Sequence, residues 1–258
     1  MSVRKKDSKS TGDTPRDTPR STPRNTPRNT ERTYFDLQKI PVDLKCKNES
    51  QKNLVKLINE NTITICAGRA GTGKTFIACA QALKLLKSEK YKKILLVKSV
   101  TELEGESVGY LKGTLEEKMF PHTISFLDNF HKIIGEENTK KMLEMGLIEV
   151  LPLAYIRGRS IDDSIIIVDE AQNITLGNMR STLTRIGENS KMIITGDSKQ
   201  VDIKNKKQSS LDIVVNIFKD KEGIGTMYFT TSDIVRSSIV RMVEDEFDIY
   251  EEKNVIKK

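Results

Sequence analysis

Tryptophan is absent from this chain of 258 residues, and histidine is nearly so, with only His122 and His131. Such a small stock of imidazole argues against a zinc site and against a Ser-His-Asp triad. The three cysteines, Cys46, Cys66 and Cys79, form no C-x-x-C pair, and their odd number argues against a disulfide framework. Cys66 and Cys79 fall within apolar segments and read as small buried hydrophobes. No apolar run reaches membrane-spanning length, and the first residues lack the apolar core of a secretion signal. The expected compartment is the cytoplasm, with no membrane partner. Aromatic residues make up only 5% of the chain, so platforms for stacking nucleic-acid bases are scarce. Tyr110, Phe120 and Phe126 are available, but read first as core.

What is present divides into a tail and a folded part. Residues 13–32 repeat Asp-Thr-Pro-Arg, Asp-Thr-Pro-Arg, Ser-Thr-Pro-Arg, Asn-Thr-Pro-Arg and Asn-Thr-Glu-Arg, almost without apolar side chains. Such a stretch cannot bury enough surface to offset its ordering entropy, so residues 1–33 are expected to be a disordered basic tail. The tail has nine Lys/Arg against four Asp/Glu, which places +5 of the formal +7 charge there and leaves the rest near neutral. A basic tail either helps to hold nucleic-acid phosphates or is simply a solvated element. Residues 34–258 are long enough for one sizeable core.

The most informative segment is Gly68, Arg69, Ala70, Gly71, Thr72, Gly73, Lys74 and Thr75, which fits G-x-x-x-x-G-K-[ST]. It follows an apolar run and precedes a stretch of good helix formers, the context that a phosphate-binding loop requires. The glycines let the backbone curl so that successive N–H groups face one centre, and the following helix adds its positive end. Lys74 is expected to reach the β- and γ-phosphates of ATP, and the Thr75 hydroxyl to ligate Mg²⁺.

Apolar runs at 62–66, 93–98, 164–168, 191–195 and 225–229 read as buried parallel strands, and 148–151 as an added one. Helices are expected at 74–88, 175–186, 210–218 and 233–247. In the second of these Leu176, Met179, Leu183 and Ile186 share a face and Thr175 is placed as N-cap; in the last, Val235, Ile239, Met242 and Val243 keep the helical rhythm behind a Ser232 or Asp233 cap. The alternation predicts an α/β fold with a parallel sheet flanked by helices, and with the phosphate loop it resembles a single RecA-like P-loop NTPase domain. Residues of about 99–159 read as an insertion, where Gly105, Gly109, Gly113 and Pro121 break short segments ahead of helical stretches at 118–134 and 136–145. Partner specificity and a purely structural role are both open for it.

The 164–168 strand ends in Asp169-Glu170. Asp169 at the tip is expected to hold the Mg²⁺ coordination shell, and Glu170 to polarise the attacking water. A water-activating Glu favours hydrolysis over transfer to a substrate, and no Asn-Lys-x-Asp motif is present for guanine. The 191–195 strand runs into Gly196-Asp197-Ser198-Lys199-Gln200, where Asp197 and Gln200 are placed to sense the γ-phosphate or the water.

Asp169-Glu170-Ala171-Gln172-Asn173 with Gly196-Asp197-x-x-Gln200 resembles the ATPase motifs of superfamily 1 helicases. More closely, the chain is similar to the PhoH-like family of ATPases. The supporting stretches are Gly105-Glu106-x-x-Gly109-Tyr110-Leu111-x-Gly113, Pro152-Leu153-Ala154-Tyr155-Ile156-Arg157-Gly158-Arg159 and Leu183-Thr184-Arg185-Ile186-Gly187. The similarity spans roughly 46–245, with departures at Lys98-Ser99 and Lys112. It implies that Gln51 reads the adenine edge, although a surface Gln in a helix start is the equal alternative. It also implies an arginine finger, with Arg157, Arg159, Arg185 and Arg236 as candidates and Arg236 at the best-matching position.

Helicases of that class set ATP between paired domains, and this chain carries the motifs of one. The second wall is therefore expected from a neighbour in a ring-like homo-oligomer, a hexamer among the arrangements it allows. Lys199, Lys204, Lys206 and Lys207 either track a phosphate backbone or form a solvated loop. The leading expectation is a Mg²⁺-dependent ATPase acting on single-stranded RNA or DNA. The rival is an ATP-gated interaction module without translocase activity.

Overall fold

The computed structural model describes residues 35–98, 115–203 and 209–255. The Thr-Pro-Arg repeat, the glycine-bearing part of the insertion and Lys204, Lys206 and Lys207 lie outside them.

Six strands form one parallel sheet: β1 (Ile63–Gly68), β2 (Lys93–Lys98), β3 (Ile148–Pro152), β4 (Ser164–Asp169), β5 (Lys191–Gly196) and β6 (Ile224–Phe229). Their order is β3-β2-β4-β5-β1-β6, and each neighbouring pair runs parallel. Parallel strands need long crossovers, and these lay helices on both faces. Successive side chains of a strand point to opposite faces, so each central strand feeds two cores. Ile165 and Ile167 join Cys66, Leu96 and Ile193 beneath α1 (Glu49–Glu60), α2 (Lys74–Lys87), α3 (Leu115–Ile134) and α4 (Glu136–Glu144). Ile166 and Val168 join Ile65, Val97 and Ile194 beneath α5 (Leu176–Leu183) and α6 (Leu211–Ile217). Every residue of β4 and β5 is buried, so truncating a central side chain such as Ile167 would cost about 2–5 kcal/mol. The last helix is α7 (Ser238–Val255).

The parallel α/β arrangement with helices on both faces is the one the alternation predicts, including β3 as the added strand. Cys66 and Cys79 are fully buried, and burial pushes the Cys66 thiol up to about 12. Among the described residues no helix is long and apolar enough to cross a membrane.

Three local expectations are corrected. Pro121 does not end a segment: α3 continues through it, at the price of the one ladder hydrogen bond a proline cannot donate. The helix expected at 233–247 begins later. Thr231–Asp233 forms a short 3-10 turn, closed because the Thr230 side chain and Asp233 carboxylate cap each other, and α7 starts at Ser238. Thr175 does occupy the N-cap of α5, but its side chain makes no capping bond, and Leu176 beside it is exposed rather than packed with Met179.

Candidate active site

All strands point the same way, so their carboxyl ends share one edge of the sheet, and β1, β4 and β5 are adjacent there. Local signals that are distant along the chain therefore meet. The loop after β1 delivers Gly68 through Thr75, and α2 starts at Lys74 with no side chain capping its first amides. Those amides are the unpaired donors of a helix N-terminus, aimed where an anion would sit.

Lys74 is buried, and burial lowers its ammonium below the ordinary lysine range. Its Nζ donates to the carbonyls of Gly68 and Arg69, both at 2.7 Å, and lies 3.3 Å from Thr72 Oγ1. The lysine thus spans the mouth of its own loop. Thr72 Oγ1 in turn donates to the Arg69 carbonyl at 2.9 Å. The Ala70 N–H donates to Asp197 Oδ2 at 2.8 Å, so the third motif is already in contact with the loop.

At the tip of β4, Thr75 Oγ1 lies 3.2 Å from both carboxylate oxygens of Asp169. Thr195, fully buried on β5, donates to Asp169 Oδ1 at 2.6 Å. One carboxylate, one hydroxyl and the loop form the donor set that suits Mg²⁺, which keeps several waters and takes its remaining oxygens from phosphates. Among the described residues no cluster of His, Cys, Asp and Glu could hold a metal by protein side chains alone.

Glu170 follows in a left-handed backbone conformation, φ 54° and ψ 39°. Burial raises its carboxyl above the ordinary glutamate range, and the neighbouring Asp169 charge adds to this, while a hydrogen bond from Gln172 opposes it. That bond, Gln172 Nε2 to Glu170 Oε2, is 2.7 Å, and Gln172 Oε1 accepts from the Asp197 N–H at 2.9 Å. A continuous chain of contacts therefore runs from Glu170 through Gln172 and Asp197 to Ala70. The sequence carried Gln172 and Thr195 inside recognised motifs without assigning either a role; only the β4–β5 pairing shows what they touch.

The remaining candidates fare unequally. Gln51 is buried and its amide is committed to backbone: Nε2 donates to the Thr72 carbonyl at 2.8 Å and Oε1 accepts from the Lys47 N–H at 2.7 Å. A Cβ on Gly73, at φ 87°, would lie 2.9 Å from that amide nitrogen, so the glycine admits the clamp. In this arrangement Gln51 holds the loop, and an adenine edge would have to compete for the same atoms. Arg236 stands over the loop of its own chain. A Cβ on Gly71, at φ 79°, would lie 2.8 Å from Arg236 Cδ and Nε, and the Val235 N–H donates to the Gly71 carbonyl at 3.0 Å. Arg157 is bonded to Asn178 Oδ1 of α5, and Arg185 to Thr184 Oγ1. Gln200 sits exposed on the turn after β5, its N–H donating to the Asp197 carbonyl, and does not join the cluster. Arg69 makes a contact no sequence signal announced, an ion pair with Glu244 of α7 at 3.6 Å.

Comparison with known proteins identifies the family. The family model described as PhoH-like protein matches residues 43–248. The chain is 38% identical over 205 residues to a PhoH-like protein of Bacillus subtilis, covering 80% of this chain and 64% of that one. It is 33% identical over 195 residues to Protein PhoH of Escherichia coli K12, covering 75% and 55%. The chain thus spans about three-fifths of the length of these relatives. Among solved structures, the Sulfolobus solfataricus SWI2/SNF2 ATPase core in complex with dsDNA gives a TM-score of 0.42 at 15% identity, over 76% of this chain and 47% of that one. Membership rests on the sequence matches, which run through the phosphate loop, the β4 acids and the Gly-Asp turn: this chain belongs to the PhoH-like protein family.

Proposed function

We propose that the protein is a Mg²⁺-dependent ATPase whose turnover is coupled to binding and remodelling of single-stranded RNA or DNA. The observation that carries the reading is the meeting of Lys74, Thr75, Asp169 and Glu170 at the tips of β1 and β4, which flank β5, with Thr75 Oγ1 against Asp169 and Glu170 one residue further. Lys74 and the loop amides bind and orient the triphosphate of ATP, and Asp169 with Thr75 would hold Mg²⁺, which supplies charge neutralisation when bound. Glu170 accepts a proton from the attacking water. Its raised affinity for protons, caused by burial beside Asp169, suits a base that must take one and then release it. Gln172 holds that carboxylate in place, and Arg236 lies where positive charge would meet the phosphates. The basic Thr-Pro-Arg tail supports a polyanionic partner.

The test is the ATPase rate with and without single-stranded RNA and DNA, with Glu170→Gln as control. Stimulation by polymer is expected. Tight ATP binding with no stimulation would replace the motor reading by an ATP-gated switch.

A further inference from the structure

The phosphate loop already meets an anion, and that anion belongs to its own chain. The Ala70 N–H, midway between Gly68 and Gly73, donates to Asp197 Oδ2 at 2.8 Å. Successive amides of such a loop face the place of a phosphate, so a donor that suits a phosphate oxygen is here engaged by a carboxylate oxygen. Asp197 is buried, and its other oxygen is fixed as well: Oδ1 accepts from the Lys199 N–H at 3.0 Å and closes the turn after β5. The loop lysine is turned inward in the same way. Lys74 Nζ is held by the Gly68 and Arg69 carbonyls, both at 2.7 Å.

A carboxylate and a phosphate cannot share these donors. Both are negative, and like charges a few ångströms apart repel more strongly inside a protein than in water. Asp169 and Glu170 place two further carboxylates at the neighbouring strand tip. A triphosphate entering the loop therefore favours the arrangement in which Asp197 has left Ala70.

Asp197 does not leave without moving its neighbours. Its N–H donates to Gln172 Oε1 at 2.9 Å, and Gln172 Nε2 donates to Glu170 Oε2 at 2.7 Å. The preceding Gly196 makes this approach close: a Cβ there would lie 2.7 Å from Gln172 Oε1 and 3.1 Å from the Ala171 nitrogen. A shift of the turn is thus passed to the amide that holds Glu170.

We propose that Asp197 is a latch, an internal anion seated on the phosphate loop that the triphosphate of ATP displaces on binding, before the chemical step. The proposal rests on the ATPase reading above and reverses the role that the sequence suggests for Asp197. A residue that senses the nucleotide contributes to binding. A latch opposes it, because apparent affinity falls with the fraction of molecules whose site is open.

The sign of one substitution separates the two. In Asp197→Asn the side-chain oxygen can keep the Lys199 bond, whereas the amide nitrogen cannot accept from Ala70. The full chain, this variant and Asp197→Ala are titrated with a fluorescent ATP analogue and Mg²⁺, at equilibrium and by stopped flow, with circular dichroism as the check on folding. Both variants should bind about ten-fold tighter, the scale of one charge-assisted hydrogen bond that no longer has to be broken, with most of the gain in the association rate. A second measurement needs no variant. Hydrogen exchange of the unaltered chain with a non-hydrolysable ATP analogue should slow at residues 68–75 and quicken at 170–174 and 197–202. Weaker or unchanged binding by Asp197→Asn, or protection of 197–202 by the analogue, would overturn the latch and leave the ATPase reading standing. An unaltered chain that binds no analogue would remove both.

Discussion

The strand tips and helix α7 are joined by one ion pair, Arg69 to Glu244, yet they are built by opposite rules. At the tips each polar group is held by another: Asp169 by Thr75 and Thr195, Glu170 by Gln172, Asp197 by the Ala70 and Lys199 amides. Along α7 the apolar stripe is largely exposed among the described residues. Groups that must be in place before a reaction are buried and interlocked, because reorganising them during the step would cost rate. The contrast separates side chains that satisfy one another from apolar side chains that stand exposed among the described residues.

The largest expected effect tests the interlocked part. Glu170→Gln should lower the single-turnover hydrolysis rate by about 10²–10⁴, the usual worth of a positioned base, while ATP binding persists. A change below ten-fold would remove Glu170 from the chemistry and break the contrast. Gln51→Ala strips partners from the Thr72 carbonyl and the Lys47 N–H, and should cost about 1–3 kcal/mol of unfolding stability. If Gln51 only clamps the loop, preference for ATP over GTP stays as it was; a collapse of that preference would make Gln51 the adenine reader after all.

Gln172→Ala sharpens the picture of Glu170 through pH. The base works ionised, so activity fails as pH falls toward its pKa, and the raised pKa places that acid limb above the ordinary glutamate range near ~4.3. The Gln172 hydrogen bond is what holds the carboxyl down. Its loss should move the limb to still higher pH and lower kcat about ten-fold at neutral pH, equivalent to ~1.4 kcal/mol, with KM little changed. An unmoved limb would show that the bond is structural only. Smallest of all, Phe247→Ser should shift thermal unfolding stability by no more than about 0.5 kcal/mol, since the residue is 66% exposed among the described residues. A loss of several kcal/mol would mean that α7 is packed after all.

What could be read from the sequence follows the same division. The loop, Asp169 and Glu170 are local signals: a glycine pattern and an apolar run ending in acids, each complete within a dozen residues. Their neighbours were not local. That Thr195 touches Asp169 and Gln172 reaches Asp197 depends on β4 lying beside β5, and no short pattern states strand order. Periodicity at the C-terminal helix is silent for a related reason. Spacing reveals that Ile239, Met242 and Val243 share a face, but not whether that face turns inward, and here it turns out. Pro121 misled because one missing donor near a helix start costs less than the packing of Phe126 and Phe130 further along α3 returns.

Glu170 occupies a left-handed backbone position, which costs a residue with a side chain about 1–2 kcal/mol and costs glycine almost nothing. With Glu170 as the proposed base, heat resistance and catalysis ask for different residues at this one place. A directed-evolution screen scored on survival of heating alone would be drawn to Glu170→Gly and would enrich an inactive protein. Any campaign to toughen this domain has to score turnover in the same round.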